Sequence, residues 1–204
     1  MPVAVRRMAN LRYLSPIKAE IPETIYVFLF MMPVTTDLLV SYPWRRFGPA
    51  RREILRILKR LGDEHARVER TDVDGVALVH TNLGGREVVR RCRELFQTAP
   101  TFEYAIKWVP VDYWCDTDLD AMKKLIEERI RDQIGENETW GLQIEKRRWQ
   151  KYHTADIVAY LAPAIDRRVN LDRPDKLVRV DVVGNRSAIS VLRPGDTFSV
   201  NVLT

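Results

Sequence analysis

Between Glu145 and Thr154 the chain reads Glu-Lys-Arg-Arg-Trp-Gln-Lys-Tyr-His-Thr, which places four cations, two large aromatics and a histidine within ten residues. Guanidinium and ammonium groups neutralise phosphates and flat rings stack on bases, so this composition suits a nucleic acid with unpaired nucleotides. Lys146, Arg147, Arg148 and Lys151 are the candidate phosphate contacts, with His153 adding a further charge when protonated. Trp149 and Tyr152 are candidate stacking rings. The competing reading is an ordinary solvated strand end, with the aromatics as partly buried anchors and His153 as a hydrogen-bonding residue at a helix start. Side chains alternate along a strand, so Lys146 and Arg148 should point away from Arg147 as far as the strand extends. Arg167 and Arg168 follow the next helix; they either extend the basic surface or complement that helix's C-terminus.

Elsewhere the residues that could do chemistry are scattered. The histidines are His65, His80 and His153, and the cysteines are Cys92 and Cys115. They match neither the His-x-Glu with Pro-Cys-x-x-Cys of a zinc deaminase nor any structural metal spacing. Gly84-Gly85 precedes a helix, but no Gly-Lys-Ser/Thr follows, so a tight turn is expected rather than a phosphate loop. Asp72, Asp74, Asp172 and Asp175 have no spacing that marks a metal or acid/base pair, and the last two read as turn residues beside Pro174. No cofactor is expected.

The elements that must position the basic stretch come in two groups. Leu38 to Tyr42 predicts a strand closed by Pro43. Pro49 then opens a helix with Ala50, Ile54, Ile57, Leu58 and Leu61 on one face, ended by Gly62. Ala66 to Val73 and Val76 to Thr81 predict strands joined at Asp74-Gly75. A helix carrying Val88, Val89, Cys92, Leu95 and Phe96 follows, and then a strand in which Phe102, Tyr104, Ile106 and Trp108 alternate with Glu103, Ala105 and Lys107. This β-α-β-β-α-β order is the split βαβ, ferredoxin-like arrangement. After a junction at Pro110 to Thr117, Asp118 or Thr117 caps a helix bearing Met122, Ile126, Ile130 and Ile134. Trp140, Leu142 and Ile144 form the strand that enters the basic stretch, and Thr154 is the expected cap of the next helix. Val178, Val180 and Val182, then Ala188 to Leu192 across Gly184-Asn185, then Phe198, Val200 and Val202 complete a second sheet.

The order of helix, strand, Glu145-Lys146-Arg147-Arg148, His153-Thr154 with its helix, and Val169-Asn170-Leu171-Asp172-Arg173-Pro174-Asp175 before a valine-rich strand resembles the THUMP domain of tRNA-modification proteins. The resemblance covers roughly residues 117–203, and the Leu-Asp-x-Pro-Asp piece is its most specific part. It implies an α+β chain with a ferredoxin-like βαββαβ domain over 37–116 followed by an α/β THUMP domain over 117–204. The function it implies is a grip on the acceptor stem and single-stranded CCA end of tRNA. Trp149 and Tyr152 stand where the family often has small or amide residues, so their stacking role is a matter of chemistry and not of the resemblance. A methyltransferase would need a glycine-rich turn and an Asn/Asp-Pro-Pro element, and a thiolation domain an ATP-binding glycine loop. Neither occurs. The expectation is therefore a chain that is not an enzyme, similar to the THUMP adaptor that helps an RNA cytidine acetyltransferase act on tRNA.

Composition is compatible with this and does not demand it. The 204 residues carry a formal net charge of +5 and 33 basic side chains, which is mild for a nucleic-acid binder, so clustering has to carry the electrostatics. Two unpaired cysteines suit a reducing compartment, and the cytoplasm is the expected location. The run Ile25 to Met32 is too short to span a bilayer, and Pro22 and Glu23 separate it from the N-terminal arginines, against a signal peptide. Residues 1–36 are expected to be an N-terminal extension, disordered or upstream of a natural start at Met31 or Met32. Two other readings stay open: a protein-interaction scaffold without direct RNA binding, and an enzyme with an unrecognised site.

Overall fold

A computed structural model describes residues 36–98 and 102–200, all within one continuous unit, Thr35–Thr204. Except for Thr36, the N-terminal extension expected over 1–36 lies outside the described residues, as do Val202 and the candidate start at Met31 or Met32.

The first half follows the expected order: β1 (Thr36–Ser41), α1 (Phe47–Arg60), β2 (Arg67–Arg70), β3 (Val76–Thr81), α2 (Gly85–Thr98) and β4 (Lys107–Val111). These strands form an antiparallel sheet in the order β2-β3-β1-β4, extended at the β4 edge by β9 (Phe198–Ser199). That is the ferredoxin-like arrangement. The second half contains β5 (Tyr113–Asp116), α3 (Leu119–Leu125), β6 (Trp140–Arg147), α4 (Thr154–Leu161), β7 (Lys176–Val183) and β8 (Arg186–Leu192). Its sheet runs β5-β8-β7-β6, with only the β6–β7 pair parallel, which leaves β6 as an edge strand.

Three apolar clusters explain the layering. Leu38, Val40, Val79 and Trp108 on one face of the first sheet pack with Ile54, Leu58, Val88 and Cys92 of α1 and α2. Val178, Val180, Val182 and Ile189 of the second sheet pack with Met122 and Ile126 of the third helix and with Ile157 and Leu161 of α4. The opposite faces of the two sheets meet through Leu39, Val76, Val109, Val183, Ala188 and Leu192. Period-two alternation makes this possible: Leu38 and Val40 serve the helices while Leu39 serves the second sheet. Burial pushes the Cys92 thiol up to about 12, as expected of a structural thiol.

Several local expectations needed correction. The turn at Asp74-Gly75 is not a two-residue hairpin, because β2 stops at Arg70 and the Asp74 carboxylate accepts from the Tyr42 hydroxyl at 2.9 Å and the Arg45 N–H at 2.8 Å. The alternation at Phe102 to Lys107 is not a strand: the buried Glu53 carboxylate collects the N–H groups of Glu103, Tyr104 and Ala105 at 2.9–3.1 Å, and the strand begins only at Lys107. Phe198 does not finish the second sheet. It joins Phe102 and Phe96 at centroid distances of 5.0 and 5.7 Å, which draws β9 onto β4. Tyr113–Asp116, expected at a junction, pairs with β8.

The third helix opens under an Asp118 cap, whose carboxylate accepts from the Asp120 and Ala121 N–H groups. It then widens to a π-helical turn over Ile126–Ile130. Met122, Ile126, Ile130 and Ile134 recur every four residues, and an α-helix drifts by about 40° over each such step. The wider turn reverses that drift and keeps all four residues buried.

Candidate nucleic-acid interface

The basic stretch begins inside β6 and leaves the sheet at Arg147. Strand alternation divides its side chains between two environments. Gln143, Glu145 and Arg147 face the first sheet, and Leu142, Ile144 and Lys146 face α4 and the second core.

On the inward side, buried Arg179 forms a two-pronged ion pair with Asp181 at 2.7 and 2.9 Å and lies 3.7 Å from Glu145. The amide of Gln143 donates to Glu145 at 2.9 Å. The acidic member of the stretch is thus turned inward and neutralised by Arg179, so it does not cancel the cations beyond it. Lys107 of β4 closes this group. Burial, and then the charge of Arg179, lowers its ammonium pKa from the usual lysine range. Arg147 reaches over to β1, donating to the Ser41 hydroxyl at 3.4 Å.

Past the strand the chain turns sharply at Arg148, which takes φ of 58°. The Lys146 ammonium donates to the Tyr152 carbonyl, closing a loop over 147–152. Trp149 and Tyr152 pack edge to face at 5.5 Å and lie against the second core. His153 is the N-cap of α4, with Ile157 N–H bonded to its carbonyl at 3.2 Å and its own N–H donating to Asp156 at 3.3 Å. The cap expected at Thr154 is therefore one residue earlier, and Thr154 is the first helical residue. Lys151 sits 5.1 Å from the Tyr152 ring centroid.

The β1–α1 loop, Pro43 to Arg46, comes against this turn. The Arg148 guanidinium lies 5.6 Å from the centroid of Trp44, and Arg45 and Arg46 adjoin Trp44 in the chain. Arg45, Arg46, Arg148 and Lys151 are exposed and Arg147 partly so. None of these five has a carboxylate within ion-pair distance among the described residues, whereas three of the four arginines of α2 are paired: Arg86 with Asp112 and Asp196, Arg90 with Glu87 and Glu94, and Arg91 with Glu87; the fourth, Arg93, donates to the Gly195 and Thr197 carbonyls. The signal for the first-sheet contribution is Trp44-Arg45-Arg46 directly after the strand-ending Pro43, a short run that sequence periodicity passes over.

Arg167 and Arg168 lie elsewhere. Trp140 at the start of β6 donates its N–H to the Arg168 carbonyl at 3.0 Å and its indole N–H to the Arg167 carbonyl at 3.1 Å. An eight-residue strand is about 23 Å long, so the two sit at the far end of β6 from Arg148. The Arg167 side chain bonds the carbonyls of Ile134 and Asp166 at 3.3 and 2.8 Å, the first of them at the end of the third helix. The Val169 to Asp175 loop is held beside it: Asp175 accepts from the hydroxyl and N–H of Thr139 at 2.6 and 2.7 Å, which lower its pKa below the usual carboxylate range. A Cβ at Gly141 would come within 3.2 Å of the Asn170 carbonyl, so the loop can approach β6 this closely only over glycine.

Among the described residues no group of three or more histidine, cysteine, aspartate or glutamate side chains is placed to hold a metal ion. In the same residues no helix is long and apolar enough to cross a membrane.

No protein-family model matches the chain. It is similar to an uncharacterised protein, MJ0421, of Methanocaldococcus jannaschii, 33% identical over 103 residues; the match covers 48% of this chain and 27% of that protein. Among solved structures it superposes on PH1313 of Pyrococcus horikoshii with a TM-score of 0.53, at 12% identity over 78% of this chain and 54% of that one. A predicted N6-adenine-specific DNA methylase from Listeria monocytogenes aligns with a TM-score of 0.52, at 13% identity over 81% of this chain and 41% of that one. The chain thus spans about a quarter of the curated relative and about half of the solved structures. The shared architecture is a THUMP-like α+β fold. These comparisons overturn the expectation that the chain is not an enzyme: solved chains with this architecture include one described as a predicted and one as a possible methylase. In both, the part that aligns with this chain is 41% of a longer chain.

Proposed function

We propose that this chain binds tRNA, gripping the acceptor stem and the single-stranded 3′ CCA end, and presents it for nucleotide modification in the cytoplasm. The observation that carries this reading is a set of five cations without carboxylate partners among the described residues: Arg45 and Arg46 follow the exposed Trp44 in the chain, Arg148 lies 5.6 Å from its ring, and Arg147 and Lys151 flank Arg148 in the same turn. Unpaired arginines offer phosphates two-pronged, charge-assisted hydrogen bonds. Neutralised ones, as on α2, do not. Lys146 supports the site by closing its loop, His153 by starting α4, and Trp149 and Tyr152 by anchoring the turn. Arg167 and Arg168 belong to a second basic point that a stem of sufficient length would reach. The partner that the THUMP resemblance implies is a tRNA-modifying enzyme, an RNA cytidine acetyltransferase being the specific case, with this chain as its tRNA adaptor.

The reading is tested by titrating an acceptor-stem minihelix, with and without its CCA end, at two salt concentrations. Four to five phosphate contacts predict an affinity loss of about a hundredfold or more between about 50 and 200 mM salt. Tighter binding is expected when the single-stranded end is present. Undetectable or salt-insensitive binding would favour a protein-interaction scaffold instead.

A further inference from the structure

Trp44 is 58% exposed, while Trp108 and Trp140 are almost wholly buried. A ring of this size left in water forgoes the burial that usually justifies it. Its exposure is also fixed in place. Tyr42 on one side is held by the Gly75 carbonyl at 2.9 Å and by Asp74, Arg45 by Asp74 at 2.8 Å, and Arg46 N–H by the Pro43 carbonyl at 3.0 Å. Beyond the loop, Phe47 is wedged between the Tyr42 ring at 5.8 Å and the Arg70 guanidinium at 4.9 Å.

Arg45 and Arg148 are the two described residues other than glycine with positive φ, 60° and 58°. One adjoins Trp44 in the chain and the other places its guanidinium 5.6 Å from the ring. Arginine has no intrinsic preference for that backbone region, so both turns are imposed by the surrounding packing. Together they present an indole ring, a guanidinium beside it and further arginine cations on neighbouring backbone.

We propose that Trp44, with Arg148 beside it, is a stacking platform for one unpaired RNA base, whose flanking phosphates are taken by Arg45 and Arg46. The proposal rests on the RNA-binding reading above and assigns to it a residue in the first sheet. A base inside a duplex has both faces covered by its neighbours, so an exposed indole selects unpaired nucleotides over paired ones. Every base offers a π-face, so the platform tolerates sequence. The guanidinium beside the ring adds a cation–π attraction and can meet the phosphate of the stacked nucleotide.

The test uses the full chain, its Trp44→Ala and Trp44→Phe variants, and two RNA hairpins whose strands are joined by a non-nucleotide linker in place of a loop, one blunt and one with a four-nucleotide 3′ overhang carrying 2-aminopurine. Wild type and Trp44→Phe should quench 2-aminopurine emission on binding, and Trp44→Ala should not. Trp44→Ala should weaken overhang binding about tenfold, the loss of one base–aromatic stack, and leave blunt binding unchanged. Equal weakening for both hairpins would make Trp44 a support of the patch and overturn the proposal. Unaltered binding and quenching by Trp44→Ala would overturn it while leaving RNA binding intact. Failure of the wild type to bind either hairpin would overturn the RNA reading itself, and this inference with it.

Discussion

Arg148, at the turn after β6, holds its guanidinium 5.6 Å from the ring centroid of Trp44, in the loop after β1. The two residues lie in loops of different sheets and are anchored independently, Trp44 through its neighbour Arg45, whose N–H donates to Asp74, and Arg148 through the loop that Lys146 closes on Tyr152. Their juxtaposition is therefore a product of sheet-on-sheet packing, and what stabilises that packing also sets the geometry of the interface.

Arg147→Ala and Arg148→Ala should each weaken RNA binding by about 1 kcal/mol or more, the worth of a charge-assisted phosphate contact, and each should lower the salt slope by about one unit. Equilibrium titration across a salt series reads both quantities. Affinity that is unchanged in both variants would place the phosphate contacts elsewhere.

The buried Arg179–Asp181 pair should show the asymmetry of interior charges. Asp181→Ala leaves the Arg179 guanidinium short of its partner and should cost about 3–5 kcal/mol in chemical denaturation, whereas an Arg179→Met/Asp181→Leu double variant should recover most of that loss. In the single variant Glu145 becomes the nearest carboxylate to Arg179, so RNA affinity should also shift. The double variant separates folding from binding.

Glu53→Ala should destabilise the fold by about 3 kcal/mol, because three backbone N–H groups at Glu103, Tyr104 and Ala105 lose their common acceptor in a buried setting. Glu53→Gln keeps one acceptor oxygen and should cost less. Denaturant midpoints of the two variants at equal slope decide this.

Asp63 gives a pH prediction of definite sign. Burial tends to raise its pKa, but the Thr81 hydroxyl and the N–H groups of Asn82 and His65, donating at 2.5, 2.8 and 2.9 Å, bring it below the ordinary 3.8. A carboxylate with a depressed folded pKa contributes stability above its unfolded pKa and loses it as pH falls through the folded value. Asp63→Asn should therefore be less stable than the wild type at neutral pH by about 2 kcal/mol, with the gap narrowing below pH 3.8. Denaturation at pH 7 and pH 3 measures the gap at each end, and a gap that widens in acid contradicts the assignment.

Local signals made much of the fold readable. The spacing of Ile54, Ile57 and Leu58, the stop at Gly62 and the face of Val88, Val89, Cys92 and Leu95 marked both helices of the first half, and the valine alternation marked β7. Long-range decisions were not readable. A two-residue strand at Phe198 has no period, and its place is set by Phe96, Phe102 and Trp108, about ninety or more residues earlier in the chain. Phe102 to Trp108 alternates like a strand, but only tertiary structure reveals that Glu53 takes up the N–H groups of its first half. The basic stretch at Glu145 to Thr154 was evident from composition, as was its position between a strand and a helix. Trp44 was not, since nothing in its neighbours tells an exposed tryptophan from a buried one until the second sheet brings Arg148 beside it.

Ultraviolet cross-linking of the full chain to an acceptor-stem minihelix, with the adducts mapped by peptide mass spectrometry, locates the RNA on the protein surface. The predicted adducts fall on the peptides containing Trp44 to Arg46 and Arg147 to Tyr152. Adducts confined to α2, around Arg90 and Arg93, would place the RNA on a different face and rule out the interface at Trp44 and Arg148.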